Sequence, residues 1–499
     1  MSGAAATMAP GWDRLRFVLL RGVGLLQLVS FVSWWRQGLF LVGRGGLTPA
    51  HTFLDRVSAN LGDDALTRLP TLVWLDDSDG ALLAAGIVGT VLSLAVTLGL
   101  TNAAVQLVLW ALYVSIVNVG QDWYGYGWEM MLCEVGLLAV FLAPWRTFSP
   151  RHLPAASPIP IFLFRWLTFR LLLGAGLIKL RGDPCWVELT CLVHHYETQP
   201  NPHPISWLFH HFPVWVHQAG VAFNHVVELV VPWFAFGPRR PRRVAAALAI
   251  VFQLILIASG NLAFFNWLTL VICLSLLDDD VLARLLPRLG PWLAAVPATR
   301  RTHVLPAVFA LFVAWRSVPV VQNLLSDDQA MNRSYDPLRT VNTYGAFGSV
   351  GDERHEAVIQ GTLDDPEDPA ARWLDYELPC KPGDVTRRPC WITPYHLHLD
   401  WQMWFVPLQG VRENVWLIHL VERLLHADPV ALDQLAVDPF DGHPPRAIRV
   451  AKYRYRFTGW GEPGWYTRVE EGFFVRPLTL EDPGLERVMA REGWSDLPS

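Results

Sequence analysis

Three basic side chains, Arg165, Arg170 and Lys179, lie inside one apolar stretch, Ile159 to Leu180, with Arg181 and Asp183 just beyond it. A charge within an apolar span is costly and usually faces a cavity, a counter-charge or a substrate path. Lys179 and Arg181 have a simpler alternative, because long basic side chains near a span's end reach back to the surface. Seven of the sixteen histidines then follow between positions 194 and 225: His194, His195, His203, His210, His211, His217 and His225. Glu197 and Glu228 stand among or just after them, and Glu228 follows His225 by three residues, on the same helical face. A His–carboxylate pair is an acid–base unit near neutral pH, and the same side chains bind metals. Their spacing matches no standard zinc motif such as His-Glu-x-x-His. A metal centre and a set of hydrogen-bonded interfacial histidines both stay open, and neither a metal nor a cofactor is assigned.

Gln253, Asn261 and Asn266 flank Gly260. They suit either a tight hairpin with satisfied amides or a polar pocket shared with the histidine segment. There is no Gly-x-Ser-x-Gly nucleophile elbow, Walker loop or dinucleotide fingerprint. Gly43-Arg-Gly-Gly46 lacks the strand–helix setting of a phosphate cradle, so hydrolysis by the chain itself has no support.

The elements that must position these residues are membrane helices. Of 499 residues 52% are hydrophobic and only 17% charged, with a mean hydropathy of +0.26, whereas about a quarter of a soluble protein is charged. A net charge of −5 and the lack of a basic stripe argue against nucleic acid as a partner. About nine spans are expected: Phe17–Trp35, Ala81–Leu100, Ala103–Val119, Trp128–Trp145, Ile159–Leu180, Val221–Phe236, Val244–Gly260, Leu262–Leu277 and Val304–Leu325. The first lacks a small-residue cleavage site, so it reads as retained rather than as a signal peptide. No repeat of the kind that builds many transporters is visible.

The distribution of basic residues orients the chain. Arg14 and Arg16 put the N-terminus inside, and the segment Leu41–Gly80, with three Arg against six Asp, reads as outside. Alternation then places Arg146 and Arg151 inside, Gly182–Ala219 outside, and Arg239, Arg240, Arg242 and Arg243 inside, together with Arg284, Arg288, Arg300 and Arg301. Residues 1–325 are thus expected to form a polytopic membrane domain, and 326–499 a β-rich or mixed α/β domain on the external or lumenal side. Within the latter, Ala447–Thr458 and Gly472–Leu480 read as strands, Val415–Leu425 as an amphipathic helix and Trp401–Val406 as strand or helix. Cys185 with Cys191, and Cys380 with Cys390, fall outside as two close pairs, where disulfides can form. Cys133 and Cys273 lie in spans.

At several of these places the chain resembles the lipase maturation factor family. The stretches are Gly174-Ala-Gly-Leu-Ile-Lys-Leu-Arg-Gly-Asp183 with Cys185-Trp186, Leu189-Thr-Cys191, His195-Tyr-Glu-Thr-Gln-Pro200, Asn224-His225 with Glu228, and Ser259-Gly-Asn-Leu-Ala-Phe-Phe-Asn-Trp267. Asn342-Thr-Tyr-Gly-Ala-Phe-Gly348, Tyr376-Glu377, Cys380-Lys-Pro-Gly383, Arg388-Pro-Cys390, Pro394-Tyr-His396 and Leu399-Asp400-Trp401 continue the likeness nearly to the end of the chain. The resemblance implies a multi-pass protein, in the endoplasmic reticulum membrane of a eukaryote or the cytoplasmic membrane of a bacterium. Its lumenal domain would assist folding and assembly of secreted lipases or other exported clients. It singles out Arg181, Asp183, Glu197, Asn224, Glu228, Asn261, Asn266, Asn342, Asp400 and Trp401 as binding or structural residues, to which the span charges Arg165 and Arg170 are added as candidates for pairing within the helix bundle. Oligomeric state and client identity are left open.

A second likeness leads elsewhere. Ala175-Gly-Leu-Ile-Lys179 followed by Trp186 is similar to part of the membrane domain of vitamin K-dependent γ-carboxylases, in which a lysine at the comparable place serves as a base. The alternative is thus a membrane-embedded enzyme with Lys179 as base and His195 and His225 as further catalytic candidates. That reading calls for a water-accessible, polar-lined cavity around Arg170, Lys179, His195 and His225.

Overall fold

The computed structural model describes residues 11–145, 147–148, 155–292 and 301–494. Six of its helices are long and apolar enough to cross a membrane: Asp13–Val42, Asp79–Leu98, Pro158–Arg181, Val214–Phe236, Arg239–Ser259 and His303–Leu325. Local chemistry sets their ends. Ser78 caps the Asp79–Leu98 helix by accepting from the Ala81 amide at 3.2 Å, and Gly99, in the left-handed region at φ 100°, stops it. Ser157 and the prolines after it start Pro158–Arg181. In Val214–Phe236 the α-helix opens into a π-turn over Val226–Val230, which carries Glu228, and then tightens to 3-10 around Pro232.

The expected nine spans therefore reduce to six by length. Ala103–Val119 has 17 residues, Gly127–Leu142 has 16, and Phe265–Cys273 runs on only to Leu276. All three pack within the helical region, and their shortness reflects close turns at either end rather than polar sequence.

Contacts group the connecting segments at two ends. At one, Asp279 caps the first helix by accepting from the Arg14 and Leu15 amides at 3.1 and 2.9 Å, and Asp278 accepts from Arg243 at 2.6 Å. The Ala103 amide donates to the Pro144 carbonyl at 2.9 Å, and Asp13 accepts from the Ala156 amide at 3.0 Å. At the other, Gln121 donates to the Thr48 carbonyl at 2.7 Å, Asn118 to the Pro70 and Pro337 carbonyls at 2.9 and 3.1 Å, and Asn261 to the Cys390 carbonyl at 3.0 Å. Arg146, Arg151 and Arg300, which helped to orient the sequence, lie outside the described residues, as does the Arg301 side chain.

The C-terminal β-containing domain is built on one antiparallel sheet of order β2-β1-β3-β4, with β1 Arg354–Thr362, β2 Leu374–Asp375, β3 Ala447–Phe457 and β4 Tyr466–Leu478. β3 follows the expected strand. β4 starts six residues before the expected one, because Tyr466–Glu471 pairs with β3 through charges, among them Arg454 with Glu471 at 2.7 Å. Gly472, at φ 122°, sits at one of three register shifts between β3 and β4. Trp401–Val406 resolves as helix: His398–Met403 and then Val406–Gln409, with Trp416–Leu425 packed against β3.

Candidate functional site

Lys179 sits in the last turn of Pro158–Arg181, 5% exposed, and donates to both carboxylate oxygens of Glu228 at 2.7 Å and to Asn224 Oδ1 at 2.9 Å. Asn224 Nδ2 closes the triangle onto Glu228 at 2.8 Å. Helical spacing makes this possible, since Asn224 and Glu228 are four residues apart. Trp186 lies beneath the ammonium, 4.9 Å from ring centroid to Nζ. The triangle opens on a cavity of about 430 Å³, lined chiefly by apolar side chains of the Pro158–Arg181, Arg239–Ser259 and Phe265–Cys273 helices. Residues 344–349 and the Trp401–Gln409 segment close its other side.

His195 lines the same cavity, edge-on to Phe347 at 4.6 Å, and burial lowers its pKa to about 4, with Lys179 adding to the effect. Asn266 and Trp401 are there too. Arg170 and His225 are not, and the lining is apolar rather than polar, so the enclosure expected for the enzyme reading is only half assembled. His225 is instead bonded through Nε2 to the Trp186 carbonyl at 2.9 Å.

Arg170 belongs to a second cluster. It is ion-paired with Glu134 and donates to the Asn342 carbonyl at 2.8 Å. The Asn342 amide and the Tyr344 hydroxyl return bonds to Glu134 at 3.0 and 2.7 Å. Gly174 and Gly182 allow that segment to lie on the helix, because a Cβ at 182 would meet the Gly348 carbonyl oxygen at 2.3 Å. Asp183 completes the seam, accepting from the Val350 and Cys185 amides at 3.2 and 3.0 Å.

The remaining sequence candidates are tethers. Arg165 donates to the Ser275 carbonyl at 2.8 Å, and Arg181 to Gln329 at 2.6 Å and the Leu324 carbonyl at 3.1 Å. Glu197 accepts from the Phe457 amide at 2.5 Å. Asn261 accepts from the Ile392 and Thr393 amides at 3.0 and 3.3 Å. Asp400 accepts from the Cys380 and Lys381 amides at 2.5 and 3.0 Å, while burial raises its pKa to about 6. Both cysteine pairs are disulfides, with Cα separations of 4.8 Å for Cys185–Cys191 and 5.2 Å for Cys380–Cys390. Among the described residues no three His, Cys, Asp or Glu side chains converge in a way that would hold a metal ion.

Two features escaped the sequence reading. Glu134, an acidic residue inside an apolar stretch, was the visible complement of Arg170. The buried set Arg354, Glu356 and Lys381, with Lys381 2.7 Å from Glu356, carried no local signal.

Six long apolar helices followed by a β-containing domain that seats on their connecting loops define a multi-pass α-helical membrane protein. Residues 14–284 match the lipase maturation factor transmembrane domain and residues 340–475 the lipase maturation factor C-terminal domain. The chain is 46% identical to lipase maturation factor 1 of Mus musculus across 94% of its own length and 87% of that protein. It is 43% identical to lipase maturation factor 1 of Homo sapiens, covering 96% and 90%. To lipase maturation factor 2 of Rattus norvegicus it is 30% identical, covering 96% and 85%. No solved structure matches. The chain belongs to the lipase maturation factor family.

Proposed function

We propose that the chain assists the maturation of secreted lipases, with residues 326–499 as the client-facing domain on the lumenal or external side. The observation that carries this is its likeness, over nearly its whole length, to proteins named for lipase maturation. Two disulfides on the side of the C-terminal domain suit an oxidising compartment. The endoplasmic reticulum membrane fits a eukaryotic source and the cytoplasmic membrane a bacterial one.

For topology we infer nine crossings, the three shorter helices included, with the N-terminus inside. Support comes from the two groups of loop contacts: segments that alternation puts inside bond to one another, and so do those it puts outside. Exposed apolar residues on the C-terminal domain, Trp391, Leu408 and Trp460 among them, offer surface to an incompletely folded client.

Crosslinking of the intact membrane protein in cells that secrete a lipase tests the assignment. Recovery of immature lipase, bridged to peptides of residues 326–499, is expected. Recovery of lipase bridged only to the helices on the opposite end would overturn the assignment of the client-facing side.

The enzyme reading keeps one observation in its favour, the cavity beside Lys179. Against it, the amine is held by Glu228 and Asn224, so a base at 179 must first break an ion pair. If Lys179→Met, paired with Glu228→Leu to avoid a stranded charge, leaves lipase maturation intact, catalysis by Lys179 has no place in that function.

A further inference from the structure

The cavity beside Lys179 holds polar groups with nothing to bond to. Gln253 Oε1, Asn266 Nδ2 and Trp401 Nε1 are buried and satisfied by no protein group, and all three residues line the cavity. They are 2%, 5% and 5% exposed. Buried polar groups in folded proteins almost always have partners, and exceptions point to water, an ion or a ligand. His195 also lines this space, in neutral form at physiological pH because burial lowers its pKa to about 4. The only charges on the lining, Lys179 and Glu228, cancel each other at 2.7 Å.

A volume of about 430 Å³ falls in the range of small-molecule sites, ~300–1,000 Å³, and such sites combine apolar walls with a few placed polar groups. The walls here come from three helices of the membrane region, so a ligand can be drawn from the bilayer. Leu408, 61% exposed, also lines the cavity from the Val406–Gln409 helix, and the cavity is partly open rather than sealed. Three free N–H donors, since Trp128 Nε1 on the same lining is also unpartnered, and one free carbonyl acceptor, with no net charge, match an uncharged head that offers both ester oxygens and a hydroxyl.

We propose that this cavity is a binding site for a neutral single-chain ester lipid of the monoacylglycerol class. The apolar lining takes the acyl chain, and Gln253, Asn266 and Trp401 take the glycerol ester. This goes beyond lipase maturation and stands or falls separately from it, because the test reads lipid occupancy and not client folding.

The full-length protein in phosphatidylcholine nanodiscs is photolabelled with a monoacylglycerol carrying a diazirine and an alkyne. Parallel arms use a phosphatidylcholine and a free fatty acid with the same tags. Labelling by the monoacylglycerol is expected on peptides holding residues 253–269 and 401–409, and it is lost when unlabelled monoacylglycerol is added. Gln253→Leu weakens that competition about tenfold, the change that 1.4 kcal/mol makes. Ala175→Trp, which fills the space from the Pro158–Arg181 helix, abolishes labelling. Competition in the wild-type protein decides the matter should the tryptophan variant not fold. Uncompeted labelling spread over bilayer-facing residues such as Val251 and Leu311 would overturn the site. Equal labelling of the same peptides by the charged fatty acid would overturn the neutral-head assignment.

Discussion

Arg354, the first residue of β1, donates to the backbone carbonyl of Glu197 at 2.7 Å, across 157 positions of sequence. The same guanidinium reaches the Gln199 carbonyl at 2.5 Å and the Pro200 carbonyl at 3.0 Å. Glu197 in turn accepts from the Phe457 amide of β3. The C-terminal sheet is thereby fastened to the loop that follows the Lys179 helix, and the family's two domains meet through buried backbone bonds.

Replacing Arg354 by Met leaves Glu356 with Lys381 alone, takes the guanidinium donor from the Glu197 and Gln199 carbonyls, and leaves the Pro200 carbonyl only Lys381 Nζ at 3.5 Å. Loss of one partner from a buried ion pair costs about 3–5 kcal/mol. The variant should unfold at lower temperature and be cleaved by protease between residues 326 and 354 under conditions that spare the wild type. An unchanged melting temperature would mean that the sheet is held elsewhere.

The Arg170–Glu134 pair offers a double-mutant cycle. Arg170→Met alone strands Glu134 in the helical region and should destabilise by about 3–5 kcal/mol. Adding Glu134→Leu removes the stranded charge and should restore part of that loss, which chemical denaturation of the two single variants and the double variant will measure. Asn342 and Tyr344, which also bond to Glu134, limit the recovery.

Gly182→Ala places a methyl group against the Gly348 carbonyl, and backbone on both sides leaves little room to yield. Overpacking of this kind costs about 1–3 kcal/mol. Because φ at residue 182 is −83°, the strain is steric rather than conformational. The expected readout is faster amide exchange over residues 342–350 with the helix core unaffected.

Acid should loosen the C-terminal domain and its loop. Burial lowers His195, His210 and His419 to about 4 and His396 to about 3. The unfolded chain takes up these protons near pH 6.5 while the folded chain resists, so stability present above pH 6.5 is lost as pH falls toward 4. Burial also lowers His203 and His398. Asp400, raised to about 6 by burial, and Glu197 and Glu422, raised likewise, work the opposite way, as three carboxyls against six histidines outside the long apolar helices. Melting temperature measured from pH 7.5 to 4.5 should fall, and His396→Gln should flatten the slope. A rising melting temperature would contradict the assignment of neutral buried histidines.

Much of the helical region was legible because a bilayer demands long apolar runs, and Asp13–Val42 or Pro158–Arg181 can hardly be read otherwise. Span length was less legible, since Phe265–Leu276 is mostly apolar despite Asn266, Thr269 and Ser275, and only its turns reveal how short it is. β1 went unseen for a physical reason: eight of its nine residues are buried, so it lacks the alternation that marked β3. The cysteine pairs could be read from spacing and side alone. Lys179, Asn224 and Glu228 were each singled out, and the structure joins them. Arg354 was beyond reach, and Lys381 stood only inside the Cys380–Gly383 stretch with no partner to be read for it, because their pairing with Glu356 is set by long-range packing of the sheet on the loop.

The most direct test of the assembly role is secretion of a lipase from cells that lack their own maturation factor, with and without this chain. Active, correctly assembled lipase in the medium should rise with the intact chain and fall back with Arg354→Met, which loosens the C-terminal domain. Equal lipase activity in all three conditions, with the chain present in the membrane, would contradict a role in lipase maturation.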